Sequence, residues 1–141
     1  MSIETNRAVV HRWIEEGWNG HNTALIDTLY TPDVVQHDPS SPLPVTSREA
    51  MKQYIGSFLT AFPDLRFTTD DLLAEGDKVL WRFTAVGTNI GPLLAIPPSG
   101  QRVTVTGMAL FRVTEAQIAE VWVNIDALGM FQTLGVIPAM A

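Results

Sequence analysis

With 141 residues, 46% of them hydrophobic and 17% charged, the chain has the length of one domain and a composition that excludes intrinsic disorder. A net charge of −6 without runs of like charge argues against nucleic-acid binding, and the lack of cysteine removes disulfides, thiolate nucleophiles and cysteine-held metal or iron–sulfur centres. No apolar run approaches the roughly 20 residues of a membrane span, and the N-terminus lacks the basic and apolar stretches of a signal peptide, so no membrane partner and a cytoplasmic location are expected.

Val9, Val10, Trp13 and Ile14, with Gly17 on the same side, predict a helix from Ile3 to Trp18. Ser2 is its expected N-cap, and Trp18-Asn19-Gly20 its stop, with Gly20 left-handed. A short helix over Thr23–Tyr30 follows, capped by Asn22, burying Leu25, Ile26 and Leu29, and ended by Pro32. Val34 to Pro39 reads as a short strand entering a turn, and Pro39, Pro42 and Pro44 keep the next loop irregular. Ser47 opens the strongest helix, in which Met51, Tyr54, Ile55, Phe58, Leu59 and Phe62 form one apolar stripe and Pro63 ends it.

From Leu65 the period becomes two. Leu65–Ala74 and Lys78–Gly87 form a hairpin about Gly76-Asp77. In the second of these strands Trp81, Phe83 and Ala85 share one face and Leu80, Arg82, Thr84 and Val86 the other, which predicts a central strand covered on both sides. A loop over Thr88–Gly100, two strands over Arg102–Val113 and Gln117–Ile125, and a helix over Ala127–Leu134, ending at Gly135, complete the chain. Helices grouped before strands indicate an α+β fold, with no linker or repeat to divide residues 1–141.

Several strings in this order resemble the SnoaL-like polyketide cyclase family of the nuclear-transport-factor-2-like superfamily. They are Trp18-Asn19, Val35-Gln-His-Asp-Pro39, Ala61-Phe-Pro-Asp-Leu65, Gly76-Asp77, Gly87-Thr88, Ile96-Pro97-Pro98, Thr106-Gly-Met108, Glu120-Val-Trp122 and Asp126-Ala-Leu-Gly129 through Leu134-Gly-Val-Ile-Pro138. The resemblance implies a curved antiparallel sheet wrapped by N-terminal helices into a cone, a cystatin-like α+β barrel whose interior holds a small hydrophobic organic molecule. It also implies chemistry without cofactor or metal, and a homodimer through the outer sheet face. Aldol cyclases of the family carry a His and an acid/base Asp in a strand reading Glu-His-Trp-Asp. Here Glu120-Val121-Trp122-Val123 stands in that place, so that wall of the pocket is apolar.

Of the remaining residues, His37 is the candidate general base or acid, because an imidazole exchanges protons near neutral pH. Asp38 is either its companion or the start of an Asx turn, and adjacent extended residues do not face one ligand. Tyr54 needs a partner for its hydroxyl if buried, and is a candidate donor to a substrate oxygen. Trp13, Phe58, Trp81, Met108, Val121 and Val123 are expected around the substrate. Arg82 needs a carboxylate, with Glu120, Asp126 and Asp70 as candidates. Glu120 and Trp122 are placed on the outer face, and Asp126 is read as an N-cap. His11 and His21 are read as solvated, and the three histidines lack metal-ligand spacing. The expected activity is proton transfer in a cyclisation, isomerisation or hydration. The alternatives are a non-catalytic binder of small ligands and an epoxide hydrolase, whose Asp–Arg–Asp set is not evident.

Overall fold

A computed structural model describes residues 2–138; Met1 and 139–141, which the single-domain reading includes, lie outside the described residues. Helix α1 (Ile3–Arg12) starts where Ser2 accepts the Thr5 N–H at 3.0 Å, and it continues into a π-helical segment, Trp13–Trp18. Such wider turns are rare and bring residues five apart toward one side of the helix. Trp13 and Trp18 are five apart and both buried, with ring centroids 6.3 Å apart. The left-handed residue after this helix is His21, at φ 53°, and not Gly20. Gly20 is required for a different reason: a side chain there would collide with the Glu16 carbonyl.

The next expected helix divides into a single turn, Thr23–Leu25, and α2 (Ile26–Leu29), and Asn22 makes no capping bond. Tyr30 does not close it but begins β1 (Tyr30–His37). Pairing decides the change, since Tyr30 stands opposite Ile118 where β1 joins the strand Gln117–Ile125. Helix α3 (Arg48–Ala61) follows, with Ser47 accepting the Ala50 N–H at 3.1 Å. Arg48 donates to the Tyr30 carbonyl through Nε at 2.9 Å and Nη2 at 2.7 Å, which ties α3 to the start of β1.

Strands β2 (Arg66–Glu75), β3 (Lys78–Thr88), β4 (Arg102–Thr114) and β5 (Gln117–Ile125) form an antiparallel meander, and α4 (Ala127–Thr133) ends the described chain. The five-stranded order is β1-β5-β4-β3-β2, and β1 runs parallel to β5. The sheet is therefore mixed and not wholly antiparallel. The strand that precedes α3 returns to cover the free edge of β5, which would otherwise present unpaired backbone groups.

One face of the curved sheet is buried under α1, the π-helical segment and α3. Strand β3 supplies Val79, Trp81, Phe83 and Ala85 to it. Its other face is not covered as expected: Leu80, Thr84 and Val86 are half-buried and Arg82 is exposed. Arg82 pairs with Asp71 at 2.6 Å, a partner outside the expected three, because a bulge at Asp70 sets Asp71 opposite it. Asp70 receives the Thr84 hydroxyl at 2.8 Å.

Candidate functional site

Between the helices and the inner sheet face lies a cavity of about 80 Å³, measured to the centre of a water-sized sphere. A single water needs roughly 10–15 Å³ by that measure, so an organic molecule has room. The wall is almost wholly apolar. Trp13, Phe58, Trp81, Val121 and Val123 line it. Val121 is 1% exposed and opposes Phe111, and Val123 opposes Ala109 on the same face of the sheet.

Met108 does not belong there. On β4 the buried positions are Val103, Val105, Ala109, Phe111 and Val113, so alternation turns Met108 outward, where it is 49% exposed. His37 is likewise turned away from the cavity. Its side chain is 47% exposed, its Nε2 lies 2.7 Å from Glu120 Oε2, and its ring stacks on Trp122 at 5.5 Å. The parallel register explains this, since His37 stands beside Trp122 on the outer face of β5. Arg112 holds the other Glu120 oxygen at 3.3 Å. The bond from His37, then that from Arg112, holds the Glu120 carboxyl below its ordinary range. This network leaves His37 no route to a ligand inside the cone.

The polar edge of the cavity is instead built from β1 and α3. Tyr54 is buried and gives its hydroxyl to Asp38 Oδ2 at 2.7 Å. Asp38 Oδ1 accepts the Ser40 N–H at 2.9 Å and the Ser40 hydroxyl at 2.7 Å, so the expected Asx turn is present as well. The turn fixes the carboxylate and aims its second oxygen at Tyr54. Burial first, and the Asp38 charge second, raise the Tyr54 hydroxyl well above its ordinary pKa, so it stays protonated at neutral pH.

Two residues that the sequence reading did not single out complete this edge. Tyr30 is 1% exposed, meets Trp13 edge-on at 5.1 Å, and is pushed far up in pKa by burial. Gln36 lies one position before His37 and therefore faces inward, beside Tyr54. The signal for both was the start of β1. A strand from Tyr30 with His37 outward makes Gln36 inward, whereas a helix ending at Tyr30 hides the pattern.

Other assignments are settled by the same geometry. Asp126 accepts the Gly129 N–H at 2.9 Å and caps α4. His11 is exposed, and His21, also exposed, bonds the Leu65 carbonyl at 3.0 Å instead of being wholly solvated. Among the described residues, no three His, Asp or Glu side chains group so as to hold a metal ion, and no helix is long and apolar enough to cross a membrane.

A family model described as SnoaL-like polyketide cyclase matches residues 8–134. Among solved structures, a candidate SnoaL-like polyketide cyclase of Jannaschia sp. CCS1 is similar with a TM-score of 0.88 and 26% identity, covering 98% of this chain and 97% of that one. AclR of Streptomyces galilaeus, named as a candidate hydroxylase, gives 0.86 and 26% over 99% of this chain and 87% of its own. A protein of Catenulispora acidiphila with a ketosteroid isomerase-like fold, 18% identical over 92% of this chain and 93% of its own, shares the fold with a TM-score of 0.77. No curated protein gives a significant match to the sequence. With the mixed α+β cone, its internal cavity and a family match over nearly the whole chain, the protein belongs to the SnoaL-like polyketide cyclase family, with the nuclear-transport-factor-2-like, ketosteroid isomerase-like fold.

Proposed function

We propose that the chain is an enzyme that moves a proton on an apolar cyclic or polyketide-like molecule held in the cone, with Tyr54 and Asp38 as the proton-handling pair. One observation carries this reading: the 2.7 Å bond from the Tyr54 hydroxyl at the cavity wall to a carboxylate fixed just behind it. A buried tyrosine so placed touches the ligand, while the carboxylate supplies the basicity that the phenol lacks. In a cyclisation, a substrate carbon next to a carbonyl loses its proton to Tyr54 Oη as the tyrosine proton passes to Asp38 Oδ2. The carbon's electron pair then attacks a second carbonyl of the same molecule. The resulting alkoxide takes the proton back along the same path. Isomerisation needs only the first transfer and its return to another carbon.

The apolar pair Val121 and Val123 favours a second reading, a cone that binds a small molecule without turning it over. The two readings separate in one experiment. Turnover of a panel of polyketide-like esters and cyclic ketones is followed for the native chain, Asp38→Asn and Tyr54→Phe, with binding measured in parallel. Loss of a positioned acid or base lowers turnover by roughly 10²–10⁴-fold, with binding little changed and the fold intact by circular dichroism. Tight binding with no turnover by the native chain would establish the binder instead. Turnover that survives both substitutions would remove Tyr54 and Asp38 from the chemistry.

A further inference from the structure

Gln36 is fixed on both sides of β1. It stands opposite Val121 of β5, and its backbone N–H goes to the Val45 carbonyl at 3.0 Å in an antiparallel bridge. With the backbone held so, alternation sends the side chain inward, where it lines the cavity. There Nε2 is buried and meets no acceptor at full hydrogen-bonding geometry, and the group it stands beside is the Tyr54 hydroxyl. A buried amide –NH₂ in that condition is uncommon in folded chains and calls for a physical reason.

Tyr54 Oη supplies one. Its single proton is given to Asp38 Oδ2 at 2.7 Å, so toward Gln36 the oxygen offers lone pairs only. While the tyrosine is neutral, a donor at that place gains little. Once the proton has passed to Asp38 the oxygen is a phenolate, and a hydrogen bond to an ion is about twice as strong as one between neutral groups. A donor off line in the resting site, and drawn in as charge appears, favours the charged state over the neutral one. The titratable groups facing Tyr54 are Asp38 and Tyr30, from β1 and the turn after it, and neither eases ionisation of the phenol. The Gln36 amide works the other way, against burial and the Asp38 charge. We propose that Gln36 is a positioning residue for Tyr54, its amide N–H bonding the phenolate oxygen that forms as the proton leaves for Asp38. The assignment rests on the reading of Tyr54 and Asp38 as the proton-handling pair and deepens it. Gln36 itself neither gains nor loses a proton: the Tyr54 O–H bond breaks toward Asp38 Oδ2, the substrate proton arrives at Tyr54 Oη, and the amide stays a donor throughout.

The chain has two tyrosines, which lets one ring be followed by itself. Both are replaced by 3,5-difluorotyrosine, whose fluorines bring the ordinary phenol pKa down toward neutrality, and the Tyr54 signal is identified by its loss in Tyr54→Phe. Its fluorine-19 resonance is titrated with pH in the native chain and in Gln36→Met, which keeps the length of the side chain and removes the donor. The Tyr54 ring should ionise roughly one pH unit or more higher in Gln36→Met, the scale of one hydrogen bond to a charged group. On any ester or ketone that the native chain turns over, Gln36→Met should lower kcat by roughly tenfold or more with KM little changed. Gln36→Leu gives the same comparison where methionine does not pack. A Tyr54 titration that stays in place in the folded variant overturns the proposal, and a lower melting temperature beside that unmoved titration is the mark of a purely structural glutamine. The titration needs no substrate. A moved titration in a chain without turnover removes the proton-transfer reading and leaves Gln36 as the group that sets the acidity of Tyr54. Turnover that depends on Tyr54 beside an unmoved titration removes this inference alone.

Discussion

Asp64 shows how one side chain sets a local structure and a pH dependence together. Its Oδ1 accepts the Thr88 N–H at 2.6 Å and its Oδ2 the Thr88 hydroxyl at 2.8 Å, tying the turn after α3 to the end of β3. The backbone bond first and the hydroxyl bond second lower its pKa from the ordinary carboxylate value. A carboxyl whose folded pKa is depressed stabilises the fold at pH above its unfolded pKa, and that contribution fades as pH falls through the folded one. Asp64→Ala should therefore melt earlier than the native chain near neutrality, and the two melting curves should converge on acidification below about pH 4. A constant difference from pH 3 to 7 would show that Thr88 does not act through the charge.

At the scale of elements, Asn19 fastens the π-helical end of the arm over the cavity to the edge strand β2. Asn19 follows the π-helical segment, donates Nδ2–H to the Phe67 carbonyl at 3.0 Å and accepts the Phe67 N–H on Oδ1 at 2.7 Å, taking the place of a neighbouring strand. Gly17 lets the Trp13 ring lie against the helix, because any side chain at 17 would overlap that ring. Asn19→Ala leaves two partly buried backbone groups unmade and should cost about 1–3 kcal/mol in urea unfolding. A loss no larger than that of an exposed substitution would mean water replaces the staple. Strand alternation makes a second prediction. Val121 and Val123 face the cavity, so Val121→His combined with Val123→Asp places two underpartnered polar groups in an apolar wall. That double variant should be destabilised by about 2–5 kcal/mol and still fold. Unchanged stability would show that this wall is wetter than its neighbours imply.

Over the whole molecule, the two faces of the sheet differ in kind. The inner face closes on the helices, while the outer face carries exposed Met108, half-buried Trp122 and Leu110, and the pairs Arg82–Asp71 and His37–Glu120. Large apolar side chains set among ion pairs suit a face that meets a second copy, and we propose that a homodimer forms there. Met108→Lys should then shift the chain toward monomer in sedimentation at micromolar concentration, with the melting of the monomer itself little altered. A native chain that sediments as a monomer would refute the dimer.

The period of the side chains alone specified much of this protein. The stripe of α3, the alternation from Phe67 to Val121 and the caps Ser2, Ser47 and Asp126 follow from local chemistry that needs no distant partner, while the apolar wall at Val121 and Val123 was implied by the family resemblance. What failed locally failed for a common reason: the deciding contact lay far away in the chain. Tyr30 reads as a helix end until β1 is seen to pair with β5, 88 positions on at Ile118. That parallel pairing sends His37 out to Glu120 and brings Gln36 in. The register of β4 turns Met108 outward, away from the substrate it was expected to line. The bulge at Asp70 chose Asp71 for Arg82. The sequence thus determined the elements, their apolar faces and the family. The directions of Gln36 and His37 on β1 were decided by strand pairing, because in a sheet a shift of one residue exchanges inside for outside.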